Sequence, residues 1–595
     1  MERLALLASL AGMTLLPLLE IVLRGTLGTG ISGVASLTQH AALAVGMLGA
    51  ALAAREGRLL SLGLAEGFLK GRWLALARGF ALAAALAVTA LLCLAGIHLV
   101  SAEYGDGRTV AYGIPVWLAQ AVVPLGFALV GWRIAAHVAA GWPLRLLAVA
   151  LAFALAGWAA SGGQPSHALV TTGIAGLVAA GLVGAPLFAV LGGTALLLFW
   201  GDGLPIAAVA LDHYRLVVNP SLPMIPLFTL AGYFLAEGGS PRRLIRVFNA
   251  LFGALRGGAA IVTVLACAFF TSFSGASGVT IIALGGMLMP LLLNAGYAQR
   301  HALGLLASSG SLGGLLPPGL PLVLYAIVAR VPMREMFLAG VLPCLLMLGS
   351  IAAWGYTRAP RAAATPRHKI DWKEARAALA DAKWELALPA IAFIGLFAGV
   401  ATPVEAAAIT AAYAFFVQVF VHKDLDLRRD VPRVMAQCGL LVGGILLILG
   451  VALGLSTYLV DARVPERLAD WVAATVPSRW MFLLALNLFL IAAGCVLDVF
   501  SAIVVLVPLV LPLGAAFGVD PLHLGIVFLV NMELGYLTPP VGMNLFFTAY
   551  RFDRPLRDIF VAALPGIAVL GATLAIVTAL PWLATGLPNL LGRLP

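Results

Sequence analysis

GGLLPPGLP (Gly313–Pro321) and ELGYLTPPVGMN (Glu533–Asn544) are the two stretches on which the reading of this chain turns. Each sets a glycine and a Pro-Pro pair inside a long apolar run. Proline lacks the backbone donor and blocks helix continuation, so a spanning helix must break at both places. A broken helix is tolerated at membrane depth only where it is buried in protein or lines a cavity, so the pair points to a binding site near the membrane midplane.

Working outward, the 595 residues are 62% hydrophobic and only 10% charged, too little polar surface for a soluble domain. The fold class read from this is an all-α polytopic membrane protein. The net charge of +10 sits in short clusters between apolar runs, as the positive-inside rule expects, and is not read as a nucleic-acid surface. The five cysteines and nine histidines show no disulfide or zinc spacing. No GxxxxGK[ST] motif and no Ser/His/Asp or paired-carboxylate constellation occurs, so neither ATP hydrolysis nor an enzyme is expected.

The first third reads as a small four-helix unit over 1–145, with apolar runs near 4–23, 38–54, 79–102 and 114–138. Each is close to the roughly 20 residues a bilayer requires. The first run is read as a retained span rather than a cleaved leader. Arg55, Arg58, Lys70, Arg72 and Arg78 crowd the loop after the second run, which places that loop and the N-terminus in the cytoplasm. Residues 146–167 read as a tether helix and linker ending in SGGQPSH.

From 168 to 595 the pattern repeats. Pro317 and Pro539 stand 222 residues apart (539 less 317), and the same offset carries Gly232 to Gly454, Pro290 to Pro512 and Gly313 to Gly535. Pro186 (GAPLFAVLGG) and Pro403 (ATPVEAAAIT) pair at nearly that offset. The segment Pro241–Arg256 is basic while its mate from Ala462 is mixed; the loop with Asp202 and Asp212 is non-basic while its mate, Lys423–Arg433, is basic. Basic and non-basic loops have exchanged sides, so the repeats, about 168–357 and 386–585, are read as inverted across the membrane. Each should hold a re-entrant hairpin, about 259–292 and 480–513, then a broken helix, about 301–327 and 520–549. Between the repeats lies a basic connector, 358–385, and the amphipathic stretch Asp371–Leu388 reads as an arm lying on the membrane surface in contact with lipid, or as a plain solvated loop helix.

The hairpin tips are TSFSGASG (Thr271–Gly278) and GCVLDVFSA (Gly494–Ala502), and the offset makes Asp498 the mate of Ala276. An ionisable group at that depth is a functional candidate; the alternative is a carboxylate that caps the hairpin amides. Each tip should meet the break that follows it. Carbonyls around Gly313, Leu316 and Pro318, with Ser274 opposite, can surround a hard cation, and so can Gly535, Thr538 and Pro540 with the second tip. Ser308, Ser309, Asn531, Glu533 and Asn544 can line a cavity or simply pack between helices. Arg463 can meet an anionic substrate, or snorkel to the surface.

At these residues the sequence resembles a tripartite ATP-independent periplasmic (TRAP) transporter with its small (Q-type) and large (M-type) membrane subunits fused. The large-subunit likeness covers about 165–595 through PLFTLAGYFLAEGG (Pro226–Gly239), SGASG, LPPGLPLVLY (Leu316–Tyr325), ATPVEAAA and LTPPVGMN; the small-subunit likeness covers about 1–145 through VGMLGAALAAREGRLLSL (Val45–Leu62) and IPVWLAQAVVPLGFAL (Ile114–Leu129). It departs at Gln39 and His40, where the family often has an acidic residue after a tryptophan, and at Ala276, where it often has a serine.

The resemblance implies Na⁺-driven secondary uptake across a bacterial inner membrane, with a small carboxylate such as sialic acid or a C4-dicarboxylate handed over by a periplasmic substrate-binding protein. It also implies an elevator, in which hairpins and broken helices move against a static scaffold. It assigns Na⁺ to Ser274, Gly275, Ala276, Gly313, Leu316 and Pro318, and to Asp498, Gly535, Thr538 and Pro540. Substrate falls to Ser277, Ser309, Arg463, Asp498 and Asn544. Two other readings stay open: a stand-alone Na⁺-coupled dicarboxylate carrier that needs no binding protein, and an intramembrane enzyme or scaffold.

Overall fold

The computed structural model describes residues 2–61, 69–137, 142–275, 277–360, 371–397 and 401–591. Among the described residues ten helices are long and apolar enough to cross a membrane, and Gln299–Leu315 with Leu320–Ala329 forms a further pair bent by 45°. No strand occurs among them beyond two isolated bridges. The chain is a multi-pass helical membrane protein.

Contacts divide it into two compact units. The first comprises Met1–Pro226 with Met435–Pro465, and the second Leu227–Val434 with Glu466–Pro595. In the first unit the opening spans are Glu2–Leu27, Val34–Arg55, Arg72–Glu103 and Val116–Ala136. Helix Val34–Arg55 lies directly on helix Asp430–Asp461: a Cβ on Gly443 would stand 2.5 Å from the Gly49 Cα. Only glycine on both sides permits backbones that close, the small-residue contact that holds helices together in lipid. His40, where the resemblance broke down, bonds the Ser36 carbonyl at 2.7 Å and the Tyr214 hydroxyl at 2.8 Å within this unit.

The second unit holds a hairpin followed by a broken helix, twice. The first hairpin is Gly258–Ser274 and Ser277–Asn294, followed by Gln299–Ser309, a short 3₁₀ turn at Leu312–Leu315, and Leu320–Ala329. The second is Arg479–Gly494 and Val499–Ala516, followed by Pro521–Gly535 and Met543–Phe552. Local chemistry sets these boundaries. Asp520 caps the amides of Leu522 and His523, with Pro521 at the first helical position, where its missing donor costs nothing. Ser478 caps Met481, and Gly275 ends its helix at φ 64, a left-handed turn that suits glycine.

The repeats exchange partners. Leu320–Ala329 of the first packs on Val499–Ala516 of the second, and Met543–Phe552 of the second packs on Ser277–Asn294 of the first. In the latter pair a Cβ on Gly278 would stand 2.5 Å from the Phe547 ring, and Arg551 donates to the Ile282 carbonyl at 2.9 Å.

The connector helix Trp372–Asp381 docks on helix Ser240–Phe252. Val247, Ala378 and Ala382 form a buried cluster between them, flanked by Arg246 bonds to Glu374 and Asp381. Deeper, Glu385 is fully buried and takes Arg243 at 2.6 Å, while Arg243 also reaches Asp424 at 2.7 Å. Trp372 and Trp384 remain exposed. The 361–370 part of the connector lies outside the described residues.

Candidate functional site

The first tip is held by hydroxyls rather than charges. Thr271 donates to the Gly310 carbonyl at 2.7 Å and lies 2.8 Å from the Thr280 hydroxyl, which in turn lies 3.4 Å from that of Ser274. The tip is thereby tied to the turn that opens the first break. Gly313 lies flat on the first hairpin arm: a Cβ there would collide with the Ala268 carbonyl and stand 2.8 Å from the Ser272 amide. A side chain on Gly275 would collide with Leu320, so the same tip also meets the helix after the break. Ala276 lies outside the described residues.

The second tip is built on a carboxylate. Asp498 caps Val499–Ala516, accepting from the amides of Phe500 at 3.0 Å and Ser501 at 3.1 Å, and from the Ser501 hydroxyl. The Val499 amide donates to the buried Tyr536 hydroxyl at 2.8 Å, which ties this tip to its own break. A Cβ on Gly535 would stand 2.6 Å from the Gly494 backbone. Gly494 is the offset mate of Ser272, so each break presses its glycine on the same place of its own hairpin.

Both breaks turn the same way. The Leu316 amide donates to Gly313 at 3.0 Å and the Thr538 amide to Gly535 at 2.9 Å, and both Pro-Pro bonds are cis. Each carbonyl keeps a lone pair for another partner. The Thr538 hydroxyl donates to the Leu534 carbonyl at 2.9 Å, which leaves its own lone pairs, like the backbone oxygen, open to a ligand. The breaks differ in surroundings: Pro317 and Pro318 are buried, Pro539 and Pro540 exposed.

Of the residues proposed for substrate, Ser277 opens the second arm of the first hairpin and Ser309 ends the helix before the first break, both buried. Asn544, just past the second break, reaches into the first: its amide donates to the Ser311 hydroxyl at 2.9 Å and the Ala307 carbonyl at 3.2 Å. Arg463 belongs to the first compact unit, exposed and at φ 53, whereas the other described candidates belong to the second. Sequence reasoning missed Thr271 and Thr280, whose hydroxyls seat the first tip; the one signal was their place in and beside TSFSGASG. It also missed Tyr536, an aromatic in an apolar run with nothing to mark its hydroxyl.

The tip-and-break pairs offer oxygen ligands: carbonyls, hydroxyls and one carboxylate. Such a set suits a hard cation rather than a thiolate-seeking or imidazole-seeking metal, and among the described residues no group of three His, Cys, Asp or Glu could hold a metal. Residues 171–583 match the model of the tripartite ATP-independent periplasmic transporter, DctM component, and residues 13–144 that of the DctQ component. The chain belongs to the tripartite ATP-independent periplasmic (TRAP) transporters.

Both membrane components of that family lie in this one chain. It is 36% identical to the C4-dicarboxylate TRAP transporter large permease protein DctM of Rhodobacter capsulatus, over 71% of this chain and 99% of the relative. It is 32% identical to the isethionate TRAP transporter permease protein DctMQ of Oleidesulfovibrio alaskensis, over 67% of this chain and 63% of the relative. A crystal structure of the Alcanivorax borkumensis YdaH transporter overlaps 61% of this chain and 85% of its own at a TM-score of 0.44 and 16% identity. The Rhodobacter and Oleidesulfovibrio relatives are permeases, not enzymes, and the chain is the membrane part of a transport system.

Proposed function

We infer that this TRAP chain uses a Na⁺ gradient to take up a small organic anion, a carboxylate or close analogue, delivered by a periplasmic substrate-binding protein. The observation that carries this reading is the pair of oxygen-lined contacts, each between a hairpin tip and its own break, packed into one unit. Na⁺ takes the carbonyls of Gly313, Leu316 and Pro318 with Ser274 and Gly275 in one half, and those of Gly535, Thr538 and Pro540 with Asp498 in the other. Relatives named for C4-dicarboxylate and isethionate transport support an acidic substrate of a few carbons.

The hairpins and broken helices move as one body, elevator fashion, while 1–145 and the tether 146–167 belong to the scaffold. The exchanged packing of the two repeats supports a single moving body, because neither hairpin can shift without the half-helix of the other. The protein works in the bacterial inner membrane with its N-terminus in the cytoplasm, a reading supported by the basic loop after the second span.

Uptake by the purified chain in liposomes tests this. Labelled C4-dicarboxylate should accumulate only with an inward Na⁺ gradient and only when its binding protein is added. Accumulation without the binding protein would favour the stand-alone carrier, and accumulation on a proton gradient alone would reject Na⁺ coupling.

A further inference from the structure

One buried carboxylate belongs to neither tip-and-break pair. Glu533 stands on the last turn before the second break, 6% exposed. It bonds the Ser311 side chain, and its Oε1 comes within 3.0 Å of where a Cβ on Gly314 would lie, so it reaches across to the first break. Its Oε2 is buried with no hydrogen-bond partner. Asn544 reaches the same Ser311 from the other side of the second break; it is fully buried, its amide nitrogen is engaged, and its Oδ1 has no partner.

The point where the two broken helices meet thus holds one anion and unmatched oxygens. No lysine, arginine or histidine pairs with Glu533 among the described residues. The nearby ionisable groups, Cys344 and Tyr536, supply no positive charge. Arg479, on the neighbouring helix, acts on His523 at the opposite end of Pro521–Gly535. A carboxylate left alone at membrane depth is costly, and both unmatched atoms are acceptors while Glu533 is ionised, so what the place lacks is a positive charge, a metal cation or a proton. One carboxylate with neutral oxygens balances a single positive charge.

We propose that Glu533 and the Asn544 side-chain oxygen form a third monovalent-cation site, for Na⁺, between the two broken helices rather than between a hairpin and its own break. Occupancy there ties one repeat to the other through Ser311. The proposal rests on the Na⁺-driven reading and adds an ion that the two tip sites do not hold.

The test counts Na⁺ bound per chain by equilibrium dialysis of the purified full chain with radioactive sodium. Glu533→Gln should bind one Na⁺ fewer than the wild type, and the charge moved per substrate in proteoliposomes should fall by one. Glu533→Asp, which keeps the charge but shortens its reach, should keep the count and need about tenfold more Na⁺ for half-saturation. Should Glu533→Gln fail to fold, Asn544→Ala leaves the carboxylate in place and should weaken the same ion. An unchanged count in Glu533→Gln, with uptake still Na⁺-dependent, overturns the third site alone. A proton released by the wild type but not by Glu533→Gln on raising pH, with the Na⁺ count equal, overturns it in favour of a proton. No Na⁺ bound by the wild type would defeat the Na⁺-driven reading itself.

Discussion

The side-chain amide of Asn544 donates to the Ser311 hydroxyl at 2.9 Å, joining residues 233 positions apart, one from each repeat. Both are buried, so the bond crosses the contact between the two breaks out of reach of bulk solvent. Asn544→Ala should therefore leave the Ala307 carbonyl without this donor and the Ser311 hydroxyl with Glu533 alone, and lower stability by about 1–3 kcal/mol. Unfolding in detergent measures this, and the double variant with Ser311→Ala should cost less than the two single changes added together.

Gly313 and Gly535 should tolerate no side chain. A methyl on either meets backbone of its own hairpin, which cannot rotate away as a side chain could. Gly535→Ala should destabilise by about 1–3 kcal/mol or more and reduce uptake by separating tip from break. Gly444, where a Cβ would meet nothing within 4 Å, serves as the control: Gly444→Ala should leave both properties near wild type.

Asp498 has a structural duty that Asn can share, since either side chain can accept from the Phe500 and Ser501 amides. Asp498→Asn should fold with near-wild-type stability yet require more Na⁺ for half-maximal uptake, whereas Asp498→Ala should lose both. Equal Na⁺ requirements in Asp498→Asn and wild type would leave Asp498 as a cap alone.

The connector clasp divides into a buried and an exposed part. Arg243→Ala leaves the buried Glu385 with only Ser240 and His422 beside it and should cost about 3–5 kcal/mol, while Arg246→Ala, whose partners are exposed, should change little. The hydrogen bond from Arg246 holds the Glu374 carboxyl below the usual carboxylate range. The stabilisation from that pair is thus complete above the usual range and is lost as pH falls through the depressed value. A spin-label pair on Phe248 and Leu379 should show the Arg246 side loosening in acid while the Val247–Ala378–Ala382 contact holds.

By itself the sequence determined the membrane class, the hairpin and break positions and the doubling of the motif. These follow from apolar run length, proline's missing donor and the constant offset, all of which act through neighbours in the chain. The bounds Gly258–Ser274 and Ser277–Asn294 fall within a few residues of those expected for the first hairpin, because glycine and capping residues mark them locally. Only the tertiary structure decided which repeat packs on which. Leu320–Ala329 meeting Val499–Ala516, Gly49 meeting Gly443 and Asn544 meeting Ser311 are contacts between distant segments whose residues look like any small or polar group in an apolar run. Glu533 shows the same division: its presence in the motif was plain, but its burial beside an unmatched oxygen depends on a helix more than 200 residues earlier. Local chemistry can place a break in a helix; the surroundings that give the break its charge come only from packing across the chain.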